Sequence, residues 1–473
     1  MDNNVSVSAP TFKFRTPTAA SIRYATWIAF FAWVFAVYDF ILFGTLLPKI
    51  GQNFGWSEAT QIELATWVAI GTAVVAVFVG PFVDRMGRRA GVIFTVGGAA
   101  ICSTLTAAIG GAWGKAPLAM VRSVAGLAYA EQVVNATYLS ELYAASDSQK
   151  LKKRRGFIYS MVQSGWPVGA LIAAALSAIL LPIIGWRGCF VFAAIPSLVI
   201  AFLARKLPES PQFELHREIA RLKQEGNHAS AQTLAAEHGV DLELHSNVGI
   251  RGAFKPATRR ALFVLSGAFL LNWFAIQIFS VLGTSVIISV HHISFENSLL
   301  ILILSNLVGF FGYLTHGWLG DRFGRRNVIG IGWACGGIVF AAMLFAPNSF
   351  VPVVALYSLG LFFLIGPYAA LLFFISESFP TSVRASAGAL INATGPIGAV
   401  ISGACATTML STGSDWQWAA LLFGALPCFL SGLLIFAARH VDPVNVRVGS
   451  VGALNENAMS SFTSSAPVLD ERG

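Results

Sequence analysis

The sequence predicts an all-α membrane protein with twelve transmembrane helices in two pseudo-symmetric six-helix bundles, and three observations carry that prediction. Of 473 residues, 55% are apolar and 11% are charged; a soluble domain carries about 25% charged residues, so the composition is that of a membrane chain. Apolar runs long enough to cross about 30 Å of hydrocarbon fall near 24–47, 60–82, 90–110, 117–140, 156–180 and 189–204, and again near 262–287, 298–318, 328–346, 351–374, 387–410 and 418–438. Finally, Gly80-Pro81-Phe82-Val83-Asp84-Arg85-Met86-Gly87-Arg88-Arg89 recurs 237 positions later as Gly317-Trp318-Leu319-Gly320-Asp321-Arg322-Phe323-Gly324-Arg325-Arg326. Both copies follow G-x-x-x-D-R-x-G-R-R and lie between two apolar runs, which reads as one half built twice.

Each segment has its own reason. Residues 1–22 form a polar N-terminal tail without the apolar centre of a secretory signal, and the run that follows is too long for a cleaved one. Residues 23–204 are the first six-helix bundle, 205–261 a polar linker, 262–440 the second bundle and 441–473 a Ser- and Asn-containing tail expected to lack structure. Within the linker, Phe213 to Leu222 reads as an amphipathic helix. With the N-terminus inside and twelve crossings, 27 of the 31 Lys and Arg fall on the inner side. A wrong count would scramble that asymmetry, so both termini are expected in the cytoplasm.

The formal charge of +8 comes with no aromatic-interleaved basic patch, and nucleic acid is excluded as a partner. The five cysteines, Cys102, Cys189, Cys335, Cys405 and Cys428, sit apart in apolar runs and imply neither disulfides nor a metal. Neither a nucleotide loop nor a nucleophile triad is found, so the chain does not read as an enzyme.

These motifs resemble the major facilitator superfamily over essentially the whole chain. Arg122 with Gly126 is similar to that family's R-x-x-x-G in the fourth span. Pro208-Glu209-Ser210-Pro211 resembles the P-E-S-P after the sixth, and Glu377 to Arg384 the E-x-x-P-T-x-x-R after the tenth. Tyr38-Asp39 followed by Gly44 resembles the Y-D-x-x-x-x-G of metabolite and aromatic-acid proton symporters, although Ala36 and Val37 stand where those families usually carry a further acid. The resemblance implies alternating access and a proton-coupled importer of a small organic acid or related metabolite, in a bacterial inner membrane. A sugar or polyol symporter, an efflux antiporter and a non-transporting nutrient sensor are the alternatives. The partners implied are a small-molecule substrate and the bilayer; the chain is expected to act as a monomer, with the proton as coupling ion and no other cofactor.

An ionisable group inside a span costs roughly 2.5–3.5 kcal/mol and invites a reason. The interior set is Asp39, Arg122 and Glu131, all in the first half. Asp39 and Arg122 lie at similar heights and are expected to pair, either as a proton-sensitive switch or as a static ion pair. Glu131, nine residues after Arg122, falls on the opposite face of an ideal helix and is a second proton carrier or a packing residue. The resemblance implies a gating layer of Asp84, Arg85, Arg88, Arg89, Asp321, Arg322, Arg325, Arg326, Glu141, Glu377 and Arg384, with each repeated aspartate meeting a neighbouring helix N-terminus. For substrate, the polar and aromatic candidates are Gln163, Trp166, Asn272, Gln277, Asn306, Tyr368 and Asn392.

Overall fold

Capping side chains set where the apolar runs begin as helices. In the computed structural model, which describes residues 17–109, 114–146, 158–237, 254–379 and 381–439, Thr18 Oγ1 accepts the Ser21 N–H (3.2 Å) and opens crossing one, Ala19–Phe54. Ser57 does the same for crossing two, Glu58–Met86, and Ser294 for crossing eight, Phe295–Phe323. Crossing three is Arg88–Ala108, and crossing four is split into Lys115–Ala125 and Leu127–Ala144. Crossing seven joins Pro256–Ala275, a π-helical turn Ile276–Val281, and Gly283–His291. Crossing nine is Arg325–Leu344, crossing ten Phe350–Ile365 plus Tyr368–Glu377, and crossing eleven Thr381–Ser411. Crossing twelve runs Trp416–Ala420, a second π turn Leu421–Ala425, and Leu426–Ile435.

Ten helices of the described residues are long and apolar enough to cross a bilayer. One of them, Ile158–Lys206, has 49 residues, about 74 Å of helix and more than twice the hydrocarbon thickness. It is two crossings, five and six, folded at Gly185. Crossing four, interrupted at Gly126, completes the twelve. Crossing six thus starts at Trp186, earlier than the apolar run indicated. Twelve is even, so Thr18 before crossing one and Ala438 after crossing twelve lie on one face, called here the terminal face; the opposite one is the far face.

The second glycine of each repeated motif has a backbone reason. Gly87 (φ +99°) ends crossing two and starts crossing three, and Gly324 (φ +87°) does so for eight and nine. A side chain is strained at such φ. The linker is more ordered than expected. Instead of one amphipathic helix it forms a helical pair, Pro211–Gln224 and His228–Glu237, closed around Leu215, Ile219, Leu222, Ala231, Leu234 and Ala235. Of the tails expected at 1–22 and 441–473, residues 1–16 and 441–473 fall outside the described residues, as does linker 238–253, while crossing one already begins at Ala19.

One apolar core runs through both halves, which meet along crossings two and eleven, and five and eight. Among the described residues, the polar contacts that join the halves lie toward the far face. Thr284 Oγ1 of crossing seven donates to the carbonyls of Gly44 and Thr45 (3.3 and 3.2 Å), and Ser289 Oγ to Glu58 Oε1 (2.7 Å). At Gly44 crossing one touches the Val281 carbonyl directly, with no room for a Cβ. The far side is closed.

Candidate functional site

Asp39 and Arg122 meet as their heights required. Arg122 Nη1 stands 3.3 Å from Asp39 Oδ2, and the side chains are 3% and 2% exposed. Arg122 Nη2 also donates to the Asp39 carbonyl oxygen (3.0 Å). Ser103 of crossing three donates to Asp39 Oδ1 and accepts from Arg122 Nη1 (3.2 Å). The rings of Phe43 and Phe190 flank the guanidinium at 5.3 and 5.2 Å. A buried ion pair is tolerated when further hydrogen bonds complete it, and Ser103 supplies one. Sequence reading missed Ser103, which shares crossing three with Thr95, Thr104 and Thr106 and is set apart from them only by its contact with the pair.

Below this pair crossing four breaks. Gly126 N–H bonds back to Ser123 O (3.1 Å) and Thr72 Cβ packs where a Gly126 Cβ would stand, ending one helix after Ala125 and starting another at Leu127. The ideal-helix argument that set Glu131 opposite Arg122 therefore does not apply. Glu131 is fully buried, and neither carboxylate oxygen has a hydrogen-bond partner. The second half also holds an ionisable group that the sequence reading passed over. His316 of crossing eight is 3% exposed, with Nδ1 2.8 Å from Gly312 O, which corrects the expectation that all such groups lie in the first half.

Between the halves a pocket is lined by Arg122, Tyr129, Thr72, Trp273, Gln277 and Phe40 among others. Aromatic rings form its wall. Tyr129 meets Trp273 edge-on at 5.2 Å, Trp273 meets Trp166 at 6.3 Å, and Trp166 meets Phe40 at 6.1 Å. Among the described residues, four buried polar groups on residues that line this pocket lack a hydrogen-bond partner: Thr72 Oγ1, Arg122 Nε, Tyr129 OH and Trp273 Nε1. Buried donors are normally satisfied, so these four are what a ligand would meet.

Of the substrate candidates, Gln277 lines the pocket, and Trp166 stands behind it against the rings of Trp273 and Phe40. Asn272 and Tyr368 bond each other, the Tyr368 hydroxyl donating to Asn272 Oδ1 (2.6 Å). Gln163 does not line the pocket: it accepts from Gln132 Nε2 (3.0 Å) and donates to Tyr159 OH (2.7 Å), joining crossings four and five. Asn306 bonds its own helix at Leu302 O (2.9 Å), and Asn392 is half-buried on crossing eleven. Tyr129 and Trp273 were overlooked, because an aromatic in an apolar run reads as packing.

At the terminal face the two halves repeat one ion pair. Arg88 binds Glu141 (Nη2–Oε1 3.2 Å) and Arg325 binds Glu377. Asp321 does not meet a neighbouring helix N-terminus as expected: it is 73% exposed and pairs with Arg325 one turn on (3.1 Å). The acid at a helix N-terminus is Glu209, whose Oε1 accepts from the Arg88 and Arg89 N–H groups (2.8 and 3.3 Å) at the start of crossing three. Ser210 donates to Glu141, so Pro208–Pro211 is tied to the same cluster. Arg85, Arg89 and Arg322 are exposed, Arg322 lying over the Trp318 ring (5.5 Å), while Arg326 donates to Ala438 O (3.2 Å). The side chains of Asp84 and Arg384 lie outside the described ones. Glu209→Gln is expected to lower stability by about 1 kcal/mol, the usual worth of a helix cap, read as a lower thermal unfolding midpoint in detergent.

Twelve crossings in two matched halves, around a polar site buried between them and closed at one face, define a membrane carrier of the alternating-access kind. The chain belongs to the Major Facilitator Superfamily, whose family model matches residues 29–316 and 300–461; it is a transporter and not an enzyme. It is 27% identical over 365 residues, 76% of this chain and 77% of the relative, to a probable 4-methylmuconolactone transporter of Cupriavidus pinatubonensis. To the gentisate transporter of Corynebacterium glutamicum it is 26% identical over 85% of this chain and 84% of the relative. Among solved structures, that of a D-xylose–proton symporter superposes with a TM-score of 0.63 at 18% identity, covering 89% of this chain and 98% of the other.

Proposed function

We propose that the protein imports a small organic acid, favouring one with an aromatic or otherwise planar ring, in symport with protons. The observation that carries this reading is the set of four unpartnered buried groups on an aromatic-walled pocket, Arg122 among them. Indole and phenol faces suit a flat ring, the free N–H and O–H groups suit carboxylate or hydroxyl oxygens, and Arg122 attracts the anion. The names of the two relatives, both carriers of ring-derived acids or lactones, agree with this chemistry. The terminal face is taken as cytoplasmic because the topology read from the sequence assigns 27 of the 31 Lys and Arg to that side. The far face is then the outside of the plasma membrane, and the carrier works as a monomer, since one chain supplies every group of the site.

In the coupling step Asp39 takes a proton while the outer side is open. Neutral Asp39 loosens its hold on Arg122, and the guanidinium turns toward the substrate anion. Loss of the substrate anion and of the Asp39 proton, once the inner side is open, lets the Asp39–Arg122 pair form again.

Uptake into proteoliposomes tests the reading: benzoate-like acids, short aliphatic acids and sugars compete, with and without a pH gradient. Competition by sugars alone, or indifference to the gradient, overturns it. Trp273→Phe keeps the ring and removes one free donor. Its apparent affinity for the preferred acid is expected to fall roughly fivefold, the worth of about 1 kcal/mol of hydrogen bonding, as measured by the KM of uptake.

A further inference from the structure

We infer that Glu131 is a second proton station, set between the Asp39–Arg122 pair and the terminal face, and that the structure is the state in which the proton has left Asp39 and rests on Glu131. The inference builds on the proton-coupled reading above.

The two carboxyls have opposite surroundings. Asp39 accepts from Ser103 and stands against a guanidinium, so it carries its charge. Glu131 is fully buried with both oxygens unpartnered, and among the described residues it forms no ion pair. An unpaired carboxylate in such a place keeps its proton rather than its charge. A second observation agrees. One turn on, Asn135 uses its Nδ2 to reach Ala29 O of crossing one (2.7 Å), which leaves its buried Oδ1 without a donor. Residues four apart on one helix are neighbours, and a protonated Glu131 would have an O–H to offer that oxygen.

Position completes the case. Nine residues separate Arg122 from Glu131, about 13 Å along a helix toward the terminal face. Crossings one, two and three pack on this part of crossing four, and among the described residues no charged group from them acts on Glu131. From crossing five Tyr159 faces it, with Tyr143 of crossing four and Tyr313 of crossing eight around Tyr159. Tyr159 is partly buried and accepts from Gln163 Nε2 (2.7 Å). The pocket lined by Arg122, Gly126 and Tyr129 lies along the same stretch of crossing four. The step is a proton transfer only. Asp39 loses a proton to water in the pocket as its ion pair forms, the Glu131 carboxylate gains one, and hydration from the terminal side later removes it as hydronium.

The test compares wild type, Asp39→Asn and Glu131→Gln in proteoliposomes, reading uphill accumulation under a pH gradient and substrate exchange without one. Glu131→Gln keeps the shape of the protonated acid and cannot titrate. It is expected to retain exchange and lose gradient-driven accumulation. Accumulation equal to wild type, or loss of exchange as well, makes Glu131 a packing residue and overturns the inference. Infrared difference spectra of the Asp39→Asn protein give an answer that does not depend on how Glu131→Gln folds. Raising the pH is expected to remove one protonated-carboxyl band, and an unchanged band overturns the inference. A wild type without gradient-driven uptake would instead sink the proton-coupled reading itself.

Discussion

Asp39→Asn is expected to abolish accumulation against a gradient while exchange of substrate stays measurable. Asparagine fills the same space and its Oδ1 can still accept from Ser103 and Arg122. What it lacks is the charge that balances a guanidinium only 3% exposed, and the proton that the coupling step carries. Breaking a buried ion pair by removing one partner costs about 3–5 kcal/mol, so the thermal midpoint should fall along with coupling. The double variant Asp39→Asn with Arg122→Gln removes both charges and should recover much of the stability without recovering accumulation. That separation of stability from coupling distinguishes a working switch from a static brace. Asp39→Asn with intact proton-driven uptake would remove Asp39 from the coupling role.

Gly44→Val is expected to hold the carrier open on the far side. A Cβ at Gly44 would stand 2.9 Å from the Val281 carbonyl carbon and 3.0 Å from its Cγ1. The carbonyl belongs to a buried π turn and cannot swing aside as a flexible side chain would. Overpacking of this kind costs about 1–3 kcal/mol. Because the clash exists only when the far side is closed, that cost shifts the open–closed balance roughly five- to 150-fold. A cysteine placed at Ser289, beside Glu58 in the closed seam, should react faster with a membrane-impermeant thiol reagent in the Gly44→Val background, and uptake should fall. An unchanged labelling rate would show that this contact does not control closure.

Most of the architecture was legible because membrane chains write it in run length and loop charge. The repeated motif located the two equivalent hairpins, and its glycines proved to be the left-handed links Gly87 and Gly324. The Asp39–Arg122 pair was legible for a different reason: charges are so few in the spans that two at equal height have little choice of partner. The substrate wall was not. Gln163 looked like a ligand group only because its partner Gln132 had not been weighed, whereas Trp273 and Tyr129 are distinguished by unpartnered polar atoms, which no sequence displays. The π turns were also hidden, since a uniformly apolar run has the same pattern whatever the local helix pitch. Glu209 was known as part of a motif, but its action on the start of crossing three depends on a contact 121 residues away in the chain.

The π turn of crossing seven has a consequence for how this chain is compared with others. Leu282 N–H bonds to Gln277 O, five residues back, so the turn accommodates one residue more than an α-helix would. One residue is about 100° of helical rotation. Thr284 and Ser289 face the first half only because that extra residue is present. In a relative without it, the equivalents of these two positions sit one place earlier in the sequence. A gap-free alignment through crossing seven would then match seam residues to lipid-facing ones, and apparent divergence at the gate would be a shift of register.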